Sequence, residues 1–271
     1  MKAAMSGFDL RAIARELDRY AGAYVKKAYM PHYEQIVLRI NPKDSNQFDL
    51  VLVRGARIYT SNRDRPMPMT PPPFAMMLRK HLKNARMTAV RQLGFDRVLA
   101  FDFDTKFGER HLYVEVFRDG NIILTDEEGI IIQPLTHASY SGRTLKKGVQ
   151  YQPPPQALDP HQMDLKTLEE MFQNSDRDLV STLGGKANLG GIHANAVCEL
   201  AGIEPNIETK QASAEKILES LQTLLQDLSN SSKGYIMLKT SEDFDNDGLE
   251  KHIVNLENNS IRLSILKCIK K

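Results

Sequence analysis

The chain has 271 residues, of which 41% are hydrophobic and 26% charged, and its net charge at pH 7 is only +2. That is enough chain to bury a real core in one or two soluble domains, and it excludes a general polycation, so any nucleic-acid surface must come from local clustering of Lys and Arg. The apolar runs fall far short of a membrane span, the start MKAAMSGFDL lacks the apolar core of a signal peptide, and Cys198 and Cys268 have neither CxxC nor zinc spacing, which points to a reduced, cytoplasmic setting.

The first element is a helix opened by Ser6 or Asp9 as cap, with Phe8, Ile13, Leu17, Tyr20 and Tyr24 on its apolar face and Arg11, Arg15, Glu16 and Arg19 on its wet one. From Val25 the period drops to two, and short strands are predicted over 27–31, 35–40, 48–53 and 56–60. A polar, proline-rich segment follows over 61–73, and Pro71, Pro72 and Pro73 end the sheet pattern. Phe74, Met77, Leu78 and Leu82 then recur at helical spacing, and Arg79, Lys80, Lys83 and Arg86 give this second helix a cationic face.

After Gly94, the pair Asp96-Arg97 opens an apolar strand over 98–104. A second meander is predicted over 111–117, 122–125 and 130–133, with Asp119-Gly120 as its hairpin turn. Residues 1–150 therefore read as an α+β unit. The triple proline at 153–155 marks a boundary. Beyond it, helices are predicted over 165–172, 176–183, 192–200 and 212–228, the last with an apolar stripe from Ile217 to Leu228. The units are 1–150, 151–232 and a strand-like tail, 233–271, with strands at 235–238 and 253–256 and no assignment for 260–271.

Two places carry chemical information. The run from Leu183 to Ile203 sets a glycine-rich turn at a helix start, where Gly190 and Gly191 let a backbone approach a phosphate and first-turn N–H groups point outward. The bland alternative is that these glycines let two helices cross closely. The other place is the basic helix with Asp96-Arg97, whose cations could neutralise several phosphates or simply form a solvated face.

Enzyme motifs are missing: no Walker loop, no GxGxxG after a strand, no GxSxG and no HExxH. The seven histidines have no metal spacing, so neither metal nor cofactor is expected. Asp102 and Asp104 alternate on one strand and could form an acid/base pair, but a solvated strand face is the better reading.

Phe8-Asp9-Leu10, Pro73-Phe74-Ala75-Met76-Met77-Leu78-Arg79-Lys80-His81-Leu82, Gln92-Leu93-Gly94-Phe95-Asp96-Arg97, Gly120-Asn121-Ile122-Ile123-Leu124 and the segment 148–154 resemble the N-terminal region of the NFACT family, in order from residue 8 to about 228. The resemblance implies a role in ribosome-associated quality control: binding the obstructed large subunit and, in RqcH-like members, recruiting tRNA for template-free C-terminal tailing. Asp96 and Arg97 correspond to the family's Asp-Arg pair. Its implied partners are tRNA and the rRNA of the large subunit, with no membrane and no small-molecule substrate.

On this reading Arg97, Arg79, Lys80, Lys83 and Arg86 contact phosphates. Asp96 orients Arg97 or reads a tRNA group, and Lys186 with Gly190 and Gly191 forms a second contact site. The layout also resembles formamidopyrimidine-DNA glycosylases, a β-sandwich with flanking helices followed by an all-α helix-hairpin-helix domain. The glycosylase proline nucleophile and zinc finger are missing, so base excision is not expected. A fibronectin-binding adhesin is the competing class, and the lack of an export signal argues against it. NFACT proteins usually continue into a coiled coil and an RNA-binding domain, so these 271 residues alone are not expected to support full tailing.

Overall fold

A computed structural model of the chain describes residues 5–140, 142–230, 235–238 and 252–255. Both candidate caps are used at its start. The Asp9 N–H donates to Ser6 Oγ at 3.3 Å and the Ser6 N–H to the Asp9 carboxylate at 2.6 Å, a reciprocal box that opens α1 (Gly7–Asp18). Leu10, Ile13, Ala14 and Leu17 turn inward from this helix.

Two antiparallel meanders follow. The first is β1 (Tyr24–His32), β2 (Gln35–Asn41), β3 (Phe48–Val53) and β4 (Arg57–Ser61). After α2 (Pro73–Leu82) comes the second: β5 (Arg86–Gln92), β6 (Val98–Thr105), β7 (Gly108–Glu115), β8 (Ile122–Thr125) and β9 (Ile131–Pro134). Rather than two separate sheets, all nine strands form one ladder in the order β4-β3-β2-β1-β5-β6-β7-β8-β9.

The meanders join through a single ladder pair between β1 and β5, Tyr24 with Arg86. Backbone hydrogen bonds flank that pair, from Val25 N to the Ala85 carbonyl at 2.9 Å and from Met87 N to the Ala23 carbonyl at 2.8 Å, and α2 packs against both β1 and β6. Alternation sends Leu38, Leu50, Phe101, Phe103 and Leu112 into one core shared by both meanders, with Phe74, Ala75, Leu78 and Leu82 of α2.

Two predicted boundaries change. The basic helix stops at Leu82: Lys83 is already extended, and Asn84 sits at φ 60. Arg86, expected on that helix, begins β5 instead. No strand was predicted over 86–92, because a register shift between Met87 and Ala89 breaks the period-two pattern. A short hairpin, β10 (Ala138–Tyr140) with β11 (Arg143–Leu145), was also unpredicted. It helps form a small second cluster in which Leu145 and Tyr151 pack with Ile123 and Ile131.

Four helices follow: α3 (Leu165–Gln173), α4 (Leu179–Gly185), α5 (Gly190–Ala201) and α6 (Ala214–Asn230). Asp164 and Asp178 cap α3 and α4, and Gly202 at φ 65 ends α5. Their core contains Leu168, Phe172, Leu183, Val197, Ile217 and Leu221, and also Phe8 and Phe95 from the first 150 residues. In the tail, β12 (Tyr235–Leu238) pairs antiparallel with β13 (His252–Asn255), close to the two strands predicted there. Residues 260–271 lie outside the described residues.

Candidate nucleic-acid interface

Asp96 and Arg97 lie in the turn from β5 to β6, and the turn is held from several sides. Gly94 takes φ 58, and the Asp96 N–H donates to the Leu93 carbonyl at 3.1 Å. Gln92 donates its side-chain amide to the carbonyls of Gly7 and Asp96, both at 2.9 Å. Arg11, from α1, donates to Gln92 Oε1 at 3.1 Å, to the Gly94 carbonyl at 3.2 Å and to Asp159 at 3.1 Å. Gly7 is required here, because a Cβ would stand 2.8 Å from the Phe95 carbonyl oxygen.

Between the two charged residues there is no ion pair. The half-buried Asp96 carboxylate accepts the Ala157 N–H at 3.4 Å; burial raises it above the ordinary carboxylate value, against the pull of that hydrogen bond and of the Arg97 charge. The Arg97 backbone is fixed through its carbonyl, which accepts from Val116 N at 2.7 Å, while its side chain is exposed and makes no hydrogen bond among the described residues. Asp96 is therefore tied to the connector rather than orienting Arg97.

The second predicted place is the turn from α4 to α5. Asn188 at φ 57 and Gly190 at φ 71 shape it, and Asn188 donates to the Leu158 carbonyl at 3.2 Å. No side chain caps α5, so its first-turn N–H groups keep their outward donors. A Cβ on Gly190 or Gly191 would meet nothing within 4 Å. Close helix crossing therefore does not explain them: the left-handed φ accounts for Gly190, and nothing in the packing accounts for Gly191. Lys186, expected to face a ligand, instead donates to the Asn174 carbonyl at 2.6 Å.

The structure links these two places. Phe95, 2% exposed, meets Phe8 edge-on at 4.7 Å between ring centroids, and Phe8 meets His193 at 4.4 Å. Arg97 is two residues beyond the first ring, and Gly191 two residues before the last. His193 Nδ1 lies 3.0 Å from the Leu189 carbonyl, which ties that ring to the α5 turn. Arg11, Gln92, Phe95 and Asp159 thus position the site, and sequence reading assigned none of them a role in it. Phe8 and Phe95 do sit inside the motifs that carry the family resemblance.

The basic helix is elsewhere. Its C-terminus and the Asp96-Arg97 turn lie at opposite ends of β5, which at strand rise is about 20 Å long. This corrects the expectation of a charged pair beside a cationic helix face, and its cause is the unread strand. Arg86 pairs with Asp104 at 3.3 Å, while Arg79 donates to the Ala28 carbonyl at 2.7 Å. Lys80 and Lys83 are exposed and form no ion pair among the described residues.

Asp102 is also corrected. It is 6% exposed, not solvated, and accepts from Arg91 at 2.7 and 3.1 Å, with His111 Nδ1 at 2.6 Å. Asp104 stands apart on Arg86, so the two carboxylates do not act as a pair. Among the described residues no cluster of His, Cys, Asp and Glu is arranged to hold a metal, and no helix is long and apolar enough to cross a membrane.

The profile "NFACT N-terminal and middle domains" matches residues 6–265, which takes in β12 and β13, past residue 228 where the motif resemblance ends. The archaeal Rqc2 homolog aRqcH of Methanocaldococcus jannaschii is 32% identical over 257 residues, covering 90% of this chain and 38% of that protein. The human ribosome quality control complex subunit NEMF is 31% identical over 255 residues, covering 88% of this chain and 23% of its own length. The chain thus spans well under half of these relatives. The solved N-terminal part of the fibronectin/fibrinogen-binding protein of Streptococcus suis overlays with a TM-score of 0.70 at 24% identity, over 88% of this chain and 89% of that one, a likeness of fold. With one profile matched over nearly its whole length, the chain belongs to the NFACT family.

Proposed function

We propose that this chain is the tRNA- and rRNA-contacting part of a ribosome-associated quality-control factor. It engages obstructed large ribosomal subunits in the cytoplasm and supports tRNA recruitment for C-terminal tailing of stalled nascent chains. It does so as a binding module and not as an enzyme, in three units: 1–150, the helical 151–232 and the tail 233–271. Its relatives are named ribosome quality control proteins, which supports the role.

The observation that carries the reading is the ring chain Phe95–Phe8–His193. It holds an exposed, unpaired arginine and an uncapped helix start in one fixed relation, which suits two points on an RNA backbone. The α4–turn–α5 unit acts as the helix-hairpin-helix element of a glycosylase-like layout, with Gly190 and Gly191 admitting a phosphate. Asp96 reads a nucleotide group, and Arg97 takes a phosphate. Lys186 steadies the turn from Asn174.

The test is binding of purified protein to bulk tRNA and to duplex DNA at two salt concentrations, beside the Asp96→Ala/Arg97→Ala variant. Selective tRNA binding that weakens about tenfold or more in the variant is expected, the scale of a lost charged hydrogen bond. Equal, salt-sensitive binding to both nucleic acids, unchanged in the variant, would reject the site.

A further inference from the structure

The side of β1 and β2 away from Ala28 and Met30 gathers more cations than acids. On β1, Ala28 and Met30 face the core, so Lys27 and Tyr29 project to the other side. Register sets Lys27 opposite Arg39, and Arg39 opposite Asp49. Around the Tyr29 ring stand Lys27 Nζ at 5.3 Å, the Arg39 guanidinium at 5.2 Å and the Arg79 guanidinium at 5.4 Å.

Two of these cations are fixed in place. Arg39 makes a two-point contact with Asp49 at 2.9 and 3.3 Å, and Arg79 is pinned to the Ala28 carbonyl at 2.7 Å. Arg65 adds a fourth positive charge 4.0 Å from the same Asp49, and its Nε is buried with no hydrogen-bond partner. The acids facing the group are Asp49 and, near Arg39, Asp64. Lys80, next to Arg79 on α2, and Lys83, just past the end of that helix, are exposed as well.

Like charges gathered this way repel, and while Arg39 has Asp49 and Arg79 has the Ala28 carbonyl, Lys27 makes no ion pair among the described residues. The negative face of the Tyr29 ring offsets part of the repulsion without neutralising the charge, leaving it available to an outside anion. An exposed Lys27 beside half-buried arginines that hydrogen bonds hold at set spacing matches a run of phosphodiesters.

We propose that Lys27, Arg39 and Arg79 around Tyr29, with Lys80 and Lys83, form a second RNA-contacting surface. It takes the phosphate backbone of a different stretch of RNA from the one at Arg97. The proposal rests on the RNA-binding reading above. Because β5 puts about 20 Å between the C-terminus of α2 and the Asp96-Arg97 turn, neighbouring nucleotides cannot reach both. The module therefore grips RNA at two separated points.

The experiment uses labelled bulk tRNA and the variant Lys27→Gln/Lys80→Gln/Lys83→Gln, in which only exposed side chains change. Affinity is expected to fall about tenfold at physiological salt, and the slope of log affinity against log salt to shrink by roughly two. The matching Lys→Arg variant should keep both. Wild-type affinity and slope in the glutamine variant, while Asp96→Ala/Arg97→Ala loses binding, would overturn this surface alone. If neither variant weakens binding, the RNA reading falls and takes this proposal with it.

Discussion

Replacing Phe95 with leucine disturbs the seat of the Asp96-Arg97 turn without touching either charged residue. The ring is 2% exposed, edge-on to Phe8 at 4.7 Å, 5.5 Å from the His161 ring and 4.9 Å beneath the Arg11 guanidinium. Full truncation to alanine at such a site costs about 3–5 kcal/mol, a large share of a typical total of roughly 5–15 kcal/mol. Leucine keeps most of the apolar volume. It forfeits the edge contact, worth about 0.5–1.5 kcal/mol, and the cation–π contact, worth about 0.5–1 kcal/mol. Phe95→Leu should therefore lose about 1–2.5 kcal/mol and stay folded, which urea midpoints measure. In the folded variant tRNA affinity should drop while its salt slope stays at the wild-type value, because no phosphate-contacting charge has gone. A lowered midpoint with unaltered tRNA affinity would refute the claim that the Phe95 ring positions the turn. An unshifted midpoint would refute the packing argument itself.

The glycine pair separates stability from binding. Gly190→Ala forces a left-handed φ of 71 on alanine and should cost about 1–2 kcal/mol, whereas Gly191→Ala meets open space and should be neutral or stabilising by up to about 1 kcal/mol, yet weaken tRNA binding; thermal midpoints and anisotropy read the two effects. Asp96→Asn should behave similarly through pH. Burial raises the folded Asp96 carboxyl, so its contribution to stability is full below the unfolded value, near 3.8, and is lost as pH rises through the folded one; the asparagine variant should match wild type in acid, unfold later at neutral pH and bind tRNA less well. Glu115 is 0% exposed and clamped by Arg143 at 2.6 and 3.0 Å and by Tyr151 at 3.1 Å, so Arg143→Met should cost about 3–5 kcal/mol and Glu115→Leu/Arg143→Met should recover most of it in urea midpoints.

Much of the frame is legible from local pattern. The box of Ser6 and Asp9, the runs at Gln35–Asn41 and Phe48–Val53, and the proline start of α2 all follow rules that act within a few residues. The strand from Arg86 to Gln92 is not, because its register shift cancels the alternation that would mark it, and its first residue extends the charge pattern of the helix before it. That one omission misplaced a whole surface: read as helix and loop, Arg86 to Arg97 looks like a short hop, while as a strand it is a spacer. Likewise Asp102 looks solvated because it alternates with phenylalanines, and only pairing β6 with β5 and β7 brings Arg91 and His111 to it. The ring contact among residues 8, 95 and 193 has no local signature at all.

Elsewhere among the described residues, three buried carboxylates are matched. Asp49 has Arg39, Asp102 has Arg91 and His111, and Glu115 has Arg143 and Tyr151. Around the junction of the sheet and the helices the local rules loosen together. Asp96 is half-buried with one long hydrogen bond and no ion pair. Asn188 and Gly190 hold left-handed backbone, α5 starts without a capping side chain, and Gly191 is glycine with no neighbour to demand it. Each departure alone is ordinary. They fall within a few residues of the Phe95–Phe8–His193 stack, where the proposed RNA site lies. On the proposed reading, an RNA backbone would supply acceptors for the first-turn N–H groups of α5 and a negative charge for Arg97.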